Sequence, residues 1–169
     1  MRRVVIATLA GILSALLPVG LFVAPAQAAE GPDVGVGVTR TGGIQGVFGS
    51  GNGFIKNTGT TTIPAGVQVK FDVSNHHNVP PEVHAITIFS TDGKSLSQPV
   101  GVAPLVPGYI TTTQPLQPGE QANFVWTVYH YAPWHRVTVK VDLVKMPDGI
   151  TDTDPSNNSA TEDNGGQGV

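Results

Sequence analysis

The chain has 169 residues, 40% of them hydrophobic and only 12% charged, with 9 Lys+Arg against 12 Asp+Glu and no cysteine. An acidic chain without a Lys/Arg run gives a phosphate backbone nothing to grip, which argues against nucleic acid as a partner. The lack of cysteine excludes disulfides, thiol catalysis, thiolate metal sites and a lipid-bearing cysteine anchor.

The N-terminus carries the first strong signal. Arg2 and Arg3 precede an almost wholly apolar run from Val4 to Ala24, and Ala26-Gln27-Ala28 follows with the small-x-small pattern of a signal-peptidase site. Residues 1–28 therefore read as a secretory signal helix, removed before folding. An uncleaved anchor is the alternative, but Pro18, Gly20 and Pro25 interrupt the run. Loss of Arg2 and Arg3 leaves 7 Lys+Arg against 12 Asp+Glu, a net charge of −5. No second apolar run is long enough to span a bilayer. The expected organisation is a signal peptide over 1–28, one domain over 29–162 and a flexible tail over 163–169. The expected location is extracellular, with no membrane attachment after cleavage.

The remainder is patterned as β-structure. Val34 to Thr39 predicts a first, weak strand. Val47 to Asn57 predicts a second that Gly49, Gly51 and Gly53 make the least certain, since glycine weakens a strand or marks a bulge. Val67 to Val73 alternates without a break, which puts Val67, Val69, Phe71 and Val73 on a core face. Val83 to Ser90 is rich in β-branched and aromatic residues. Asp92-Gly93 then predicts a hairpin turn into a partner strand over Lys94 to Val100. Tyr109 to Gln114 is a weak strand. Phe124, Trp126 and Val128 share one face of a segment that is apolar on both sides, the mark of a central strand. Val137, Val139, Val141 and Leu143 face inward in the last long strand. Proline- and glycine-bearing turns separate these elements, and beyond Ala28 no segment has helical periodicity. The pattern predicts an all-β, antiparallel sandwich of roughly seven to nine strands.

Three short motifs carry a family resemblance. They are Lys56-Asn57-Thr58-Gly59-Thr60, Leu116-Gln117-Pro118-Gly119-Glu120 followed by Phe124-Val125-Trp126, and Asp154-Pro155-Ser156-Asn157-Asn158-Ser159-Ala160-Thr161. In this order and spacing the chain resembles the Ig-like modules of bacterial extracellular proteins, in particular the cell-adhesion-related bacterial domain (CARDB). The resemblance covers about Asp33 to Thr161. It implies an Ig-like sandwich in an extracellular setting, with adhesion or scaffolding only loosely implied. The motifs are structural: Asn57 and Gly59 suit a tight turn, Leu116 forms an apolar lid, and Asn157 and Asn158 satisfy backbone groups where the last strand closes. No binding residue carries over. A single copy, a glycine-rich second strand and a histidine-rich insertion over 75–84 depart from the family pattern.

Chemistry-bearing residues are few. The chain has five histidines, His76, His77, His84, His130 and His135, and imidazole binds zinc and copper well. With Val67–Val73 taken as strand C and the last two long strands as F and G, the Ig-like pattern sends the first three to one end of the sandwich and the last two to the other. That leaves His76, His77 and His84, with Glu82, as an alternative zinc or copper site, against a polar loop stiffened by Pro80-Pro81 whose histidines meet water. His130-Tyr131-Ala132-Pro133-Trp134-His135 places Tyr131 and Trp134 on a proline-stiffened tip, suited to stacking on a sugar ring or anchoring a protein. The bland alternative is that Trp134 folds back over the core edge. Asp152, Asp154 and Asp163 hint at calcium, but the sixth loop position is Asn157 where an EF-hand needs glycine. No G-x-S-x-G elbow, P-loop or dinucleotide fingerprint is present.

The expected function is a secreted, non-enzymatic binding or adhesion module without a cofactor. Its surface loop would hold an extracellular or cell-envelope protein or polysaccharide through Tyr131, Trp134, His130 and His135. Alternatives are a small zinc- or copper-binding protein and a secreted hydrolase without a recognised motif.

Overall fold

The computed structural model describes residues 30–44, 47–75, 83–98, 108–130 and 137–164. Nine strands make up the described chain: β1 (Val34–Ile44), β2 (Phe48–Asn57), β3 (Gln68–Asn75), β4 (Val83–Ser90), β5 (Ser95–Gln98), β6 (Gly108–Thr112), β7 (Gln121–His130), β8 (Val137–Lys145) and β9 (Ser159–Asn164). A single 3-10 turn, Pro155–Asn157, precedes β9, with Asp154 capping it through the Ser156 N–H at 3.0 Å. All strand pairs are antiparallel, in a four-stranded sheet of order β1-β2-β7-β4 and a five-stranded sheet of order β5-β6-β3-β8-β9. This is the expected all-β Ig-like sandwich. β5 and β6 extend the sheet that carries β3.

The core forms between the sheets from the residues that alternation marks. Val67, Val69, Phe71 and Val73 are buried, as are Phe124, Trp126, Val128, Val139 and Val141. β7 lies between β2 and β4, as its two apolar faces predict. The glycine-rich β2 is a full inner strand. Gly51 pairs with Trp126 and Gly53 with Phe124, and a Cβ at either position would lie 2.6 Å from the Trp126 ring or 2.2 Å from the Phe124 ring. The glycines are the space into which β7 packs its two largest side chains.

Two expectations are corrected. The Asp92-Gly93 turn does not close a hairpin, because β4 belongs to the four-stranded sheet and β5 pairs with β6 in the other. The Asp92 carboxylate explains the departure. It accepts the Lys94 N–H at 3.0 Å, and on its second oxygen the Asn123 N–H at 2.7 Å and side-chain amide at 3.1 Å. The turn is thereby stitched to β7 while the chain crosses between sheets. The second correction concerns strand lettering. β9 is an additional last strand, so β7 and β8 take the E and F positions of an Ig-like sandwich and not F and G. β9 contains Ala160 as its only apolar residue, and so has no hydrophobic alternation to reveal it.

Asp92 also gives the fold an acid-side sensitivity. Partial burial pushes its carboxyl up, but the N–H groups of Lys94 and Asn123, the Asn123 amide and the Ser90 hydroxyl outweigh this and hold its pKa below the ordinary value. A carboxyl whose pKa is lowered on folding stabilises the fold above the unfolded Asp value of about 3.9, and that contribution fades as pH falls through the folded value. Urea melts are expected to show no Asp92-linked change from about pH 7 to 5 and a decline below about pH 4. Asp92→Asn should flatten part of that decline; a decline identical to that of the parent chain would show that Asp92 does not contribute.

Candidate functional site

The outer faces of the two sheets differ in chemistry. On the five-stranded sheet, Lys70 pairs in register with Asp142 and Asp72 with Lys140. Lys70 also meets Asp72 at 2.5 Å, and Lys140 meets Asp142 at 2.8 Å. Outward positions of β3 and β8 thus form a chequered array of opposite charges, a well-hydrated surface.

The outer face of the four-stranded sheet carries neither charge sign across its middle. Its cross-strand rows are Phe48–Tyr129–Ala85, then Ser50–Thr127–Thr87, then Asn52–Val125–Phe89. Phe54 and Asn123 make the next pair, and Lys56 is reached only at the far end, opposite Gln121. Phe89 is 61% exposed and Tyr129 44%. The Phe48 and Tyr129 rings lie 6.1 Å apart and tilted by 38°. Beside them, Ile44 and Val47 are 58% and 50% exposed around the β1–β2 connection. The face therefore offers hydroxyl and amide groups between exposed aromatics, with apolar surface concentrated at the end where β7 finishes.

That same end holds the backbone of His84 and His130. β3 ends at Asn75, in register with Val137, the first residue of β8. β4 begins at Val83, in register with His130, the last residue of β7. In sequence, residues 76–82 join β3 to β4 and residues 131–136 join β7 to β8. His84 and His130, expected at opposite ends, lie on neighbouring strands at one end, because β9 shifts the lettering by one strand. The β4–β7 register slips between Val83 and Ala85, so His84 is the extra residue of a β-bulge immediately beside His130. His76, His77, Glu82, Tyr131, Trp134 and His135 lie outside the described residues, as do the side chains of His84 and His130. Among the described residues no group of three His, Cys, Asp or Glu side chains is placed to hold a metal ion.

The acidic residues near the C-terminus have structural partners. Asp152 accepts the Val34 N–H at 2.8 Å and the Asn158 amide at 2.9 Å. Asp154 caps the 3-10 turn, and Asp163 accepts the Thr138 hydroxyl at 3.0 Å. Asn157 donates to Asp33 at 3.1 Å, and Asp33 in turn accepts the Thr58 hydroxyl. The D-x-D segment is thus a clasp between β1 and the approach to β9, and its carboxylates do not gather around a common point.

No family model and no curated protein matches the chain. Among solved structures it is similar to a CARDB domain from Pyrococcus furiosus, solved in complex with di-metal ions. That match has 15% identity and a TM-score of 0.43 and covers 82% of this chain and 91% of that one. An uncharacterised Nocardia farcinica protein with an immunoglobulin-like fold has 16% identity and a TM-score of 0.45, covering 75% of this chain and 96% of that one. AvmM, which catalyses macrocyclization in alchivemycin A biosynthesis, has 10% identity and a TM-score of 0.41, covering 79% of this chain and 87% of that one. The strand order and register make this chain Ig-like on their own, and a fold does not fix function.

Proposed function

We propose that the chain is exported by residues 1–28 and that the folded remainder acts outside the cell as a non-enzymatic binding module. Its partner is an uncharged polysaccharide lying across the outer face of the four-stranded sheet. The observation that carries this reading is the contrast between the two outer faces. Covering the charged sheet would strip water from Lys70, Asp72, Lys140 and Asp142, at a cost that no neutral ligand repays. Covering the four-stranded sheet desolvates no charge along the rows from Phe48 to Asn52. Ser50, Asn52, Thr87 and Thr127 supply both donors and acceptors to sugar hydroxyls, while Phe48, Tyr129 and Phe89 supply apolar surface for sugar rings. Tyr131 and Trp134 follow Tyr129 closely in the chain, flanked in sequence by His130 and His135, and are proposed as further contacts.

The test is retention on a panel of neutral and acidic polysaccharides by affinity electrophoresis. Neutral polymers are expected to retard the chain. Tyr129→Ala and Phe89→Ala should each weaken retention about tenfold, a loss typical of an aromatic anchor. Lys70→Ala, on the opposite sheet, should leave it unchanged. Retention by acidic polymers alone, or by no polymer, overturns the reading, as does full retention by the Tyr129→Ala, Phe89→Ala double variant.

A further inference from the structure

We infer that the clasp between β1 and the approach to β9 binds one Ca2+ ion through the side-chain oxygens of Asp33, Asn157 and Asn158. These residues belong to a closed ring. Asn157 donates its amide to the Asp33 carboxylate at 3.1 Å, and its neighbour Asn158 donates to Asp152 at 2.9 Å. Asp152 accepts the N–H of Val34 at 2.8 Å, which leads back to Asp33. Four buried side-chain polar atoms among the described residues have no hydrogen-bond partner, and three of them are oxygens of this ring: Asp33 Oδ1, Asn157 Oδ1 and Asn158 Oδ1. Asp33 is only 2% exposed. Its other oxygen already accepts the Thr58 hydroxyl and the Asn157 amide. The free oxygen is thus a buried, charged acceptor without a donor, which is costly. Because each asparagine gives its NH2 group to a carboxylate, its carbonyl oxygen is the atom left over.

A cation satisfies such a set better than water does. One buried water has two hydrogens to give, so it leaves at least one of the three oxygens bare. The ring offers oxygen alone, without imidazole or thiolate, which selects a hard ion. Calcium takes an irregular set of carboxylate, amide and water oxygens, whereas magnesium demands a near-ideal octahedron. Asp152 is not a ligand, because both of its oxygens already accept hydrogen bonds. A single carboxylate among neutral amides makes a weak site, with a Kd on the order of 10⁻⁴–10⁻³ M, the range of extracellular calcium modules. Bound calcium pins Asn157 and Asn158 to the residue that precedes β1, and so ties the last strand to the first. This inference is independent of the polysaccharide reading, which concerns the outer face of the four-stranded sheet, and its test uses calcium alone.

The full secreted chain is melted in EDTA, in about 10 mM Ca2+ and in about 10 mM Mg2+, at constant ionic strength. Calcium is expected to raise Tm by about 3–8 °C over EDTA, and magnesium by less than about half as much. Asp33→Asn keeps the shape and removes the charge, so it should weaken calcium binding at least about tenfold and abolish the rise. Asp148→Asn removes the same charge from a side chain that is 96% exposed, and should keep the rise. Hydrogen exchange on the unaltered chain covers an Asp33→Asn variant that does not fold. Calcium should slow exchange at the N–H groups of Val34, Thr58 and Gly59, which bond Asp152 and the Asp33 carbonyl. The Lys94 N–H, bonded to Asp92, should be slowed less. Three results overturn the inference: a calcium shift no larger than that of magnesium, a shift that survives Asp33→Asn, or exchange slowed no more at the ring than at Lys94.

Discussion

Asn57→Ala is expected to cost about 2–4 kcal/mol of folding stability, the sum of a lost buried hydrogen-bond set and the backbone groups it leaves unpaired. Asn57 is fully buried at the end of β2. Its amide donates to the Thr61 and Leu116 carbonyls at 2.8 Å each, and its side-chain oxygen accepts the Gly59 N–H at 3.0 Å. One side chain thus closes the turn after β2 and ties it to the 116–120 segment, which enters β7. The Leu116 carbonyl keeps the Ile63 N–H at 3.0 Å and Gly59 keeps a longer bond to Asp33, so the Thr61 carbonyl loses most. Thermal melts should show a fall of roughly 6–16 °C for a domain of this size. Asn57→Asp separates the amide from mere polarity. It preserves the acceptor for Gly59 but turns a second acceptor toward two carbonyls and buries a charge, so it should be no better tolerated than alanine. A Tm within 2 °C of the parent chain for either variant would show that the turn is held by something else.

This turn was legible in the sequence because its chemistry is local. Lys56-Asn57-Thr58-Gly59-Thr60 contains both the amide that bonds two residues ahead and the glycine that admits it. The same holds for β3 and β8, whose alternation is unbroken, and for Leu116, which pairs with Ile63 as a buried lid. Illegible features depend on partners distant in the chain. The Asp92-Gly93 pair has the composition of a hairpin turn, but bonds from Asn123, 31 residues away, decide that the chain crosses sheets. β9 has no large apolar residue because it is an edge strand that adds backbone hydrogen bonds more than core.

Where the strands sit, and not how many there are, decides which histidines share an end of the sandwich. Because β9 lacks apolar alternation, the sequence pattern puts β7 and β8 at the F and G positions and so places His84 and His130 at opposite ends. The β4–β7 pairing instead sets the backbone of His84 beside that of His130. The uncharged outer face of the four-stranded sheet was illegible for another reason. Its residues are spread over three strands, and only the register shows that Phe48, Tyr129, Val125 and Phe89 share one surface. Tyr131 and Trp134 are legible because they fall within one short stretch, whereas the sheet face is assembled from residues more than 80 positions apart, Phe48 opposite Tyr129.

The glycines of β2 give the second large effect. Gly51→Ala is expected to destabilise by about 3 kcal/mol or more, at or beyond the upper end of ordinary overpacking. The new Cβ would lie 1.9 Å from the Thr39 carbonyl oxygen and 2.6 Å from the Trp126 ring. Neither neighbour can yield cheaply. The carbonyl is backbone of the paired strand β1, and Trp126 is 1% exposed, packed 6.0 Å from Phe71 and bonded through its indole N–H to the Asn52 carbonyl at 3.2 Å. Gly53→Ala meets chiefly the Phe124 ring, at 2.2 Å, with the nearest backbone atom at 3.0 Å. The two sites should therefore respond differently to a second substitution. Phe124→Leu should partly rescue Gly53→Ala, with a favourable coupling of at least about 1 kcal/mol in a double-mutant cycle. Trp126→Leu should not rescue Gly51→Ala, because the Thr39 carbonyl clash remains. Denaturant unfolding of the four single and two double variants measures both couplings. Equal rescue at the two positions would mean that β1 can shift away from β2, and that the strand pairing is softer than its unbroken register from Val34–Asn57 to Arg40–Gly51 implies.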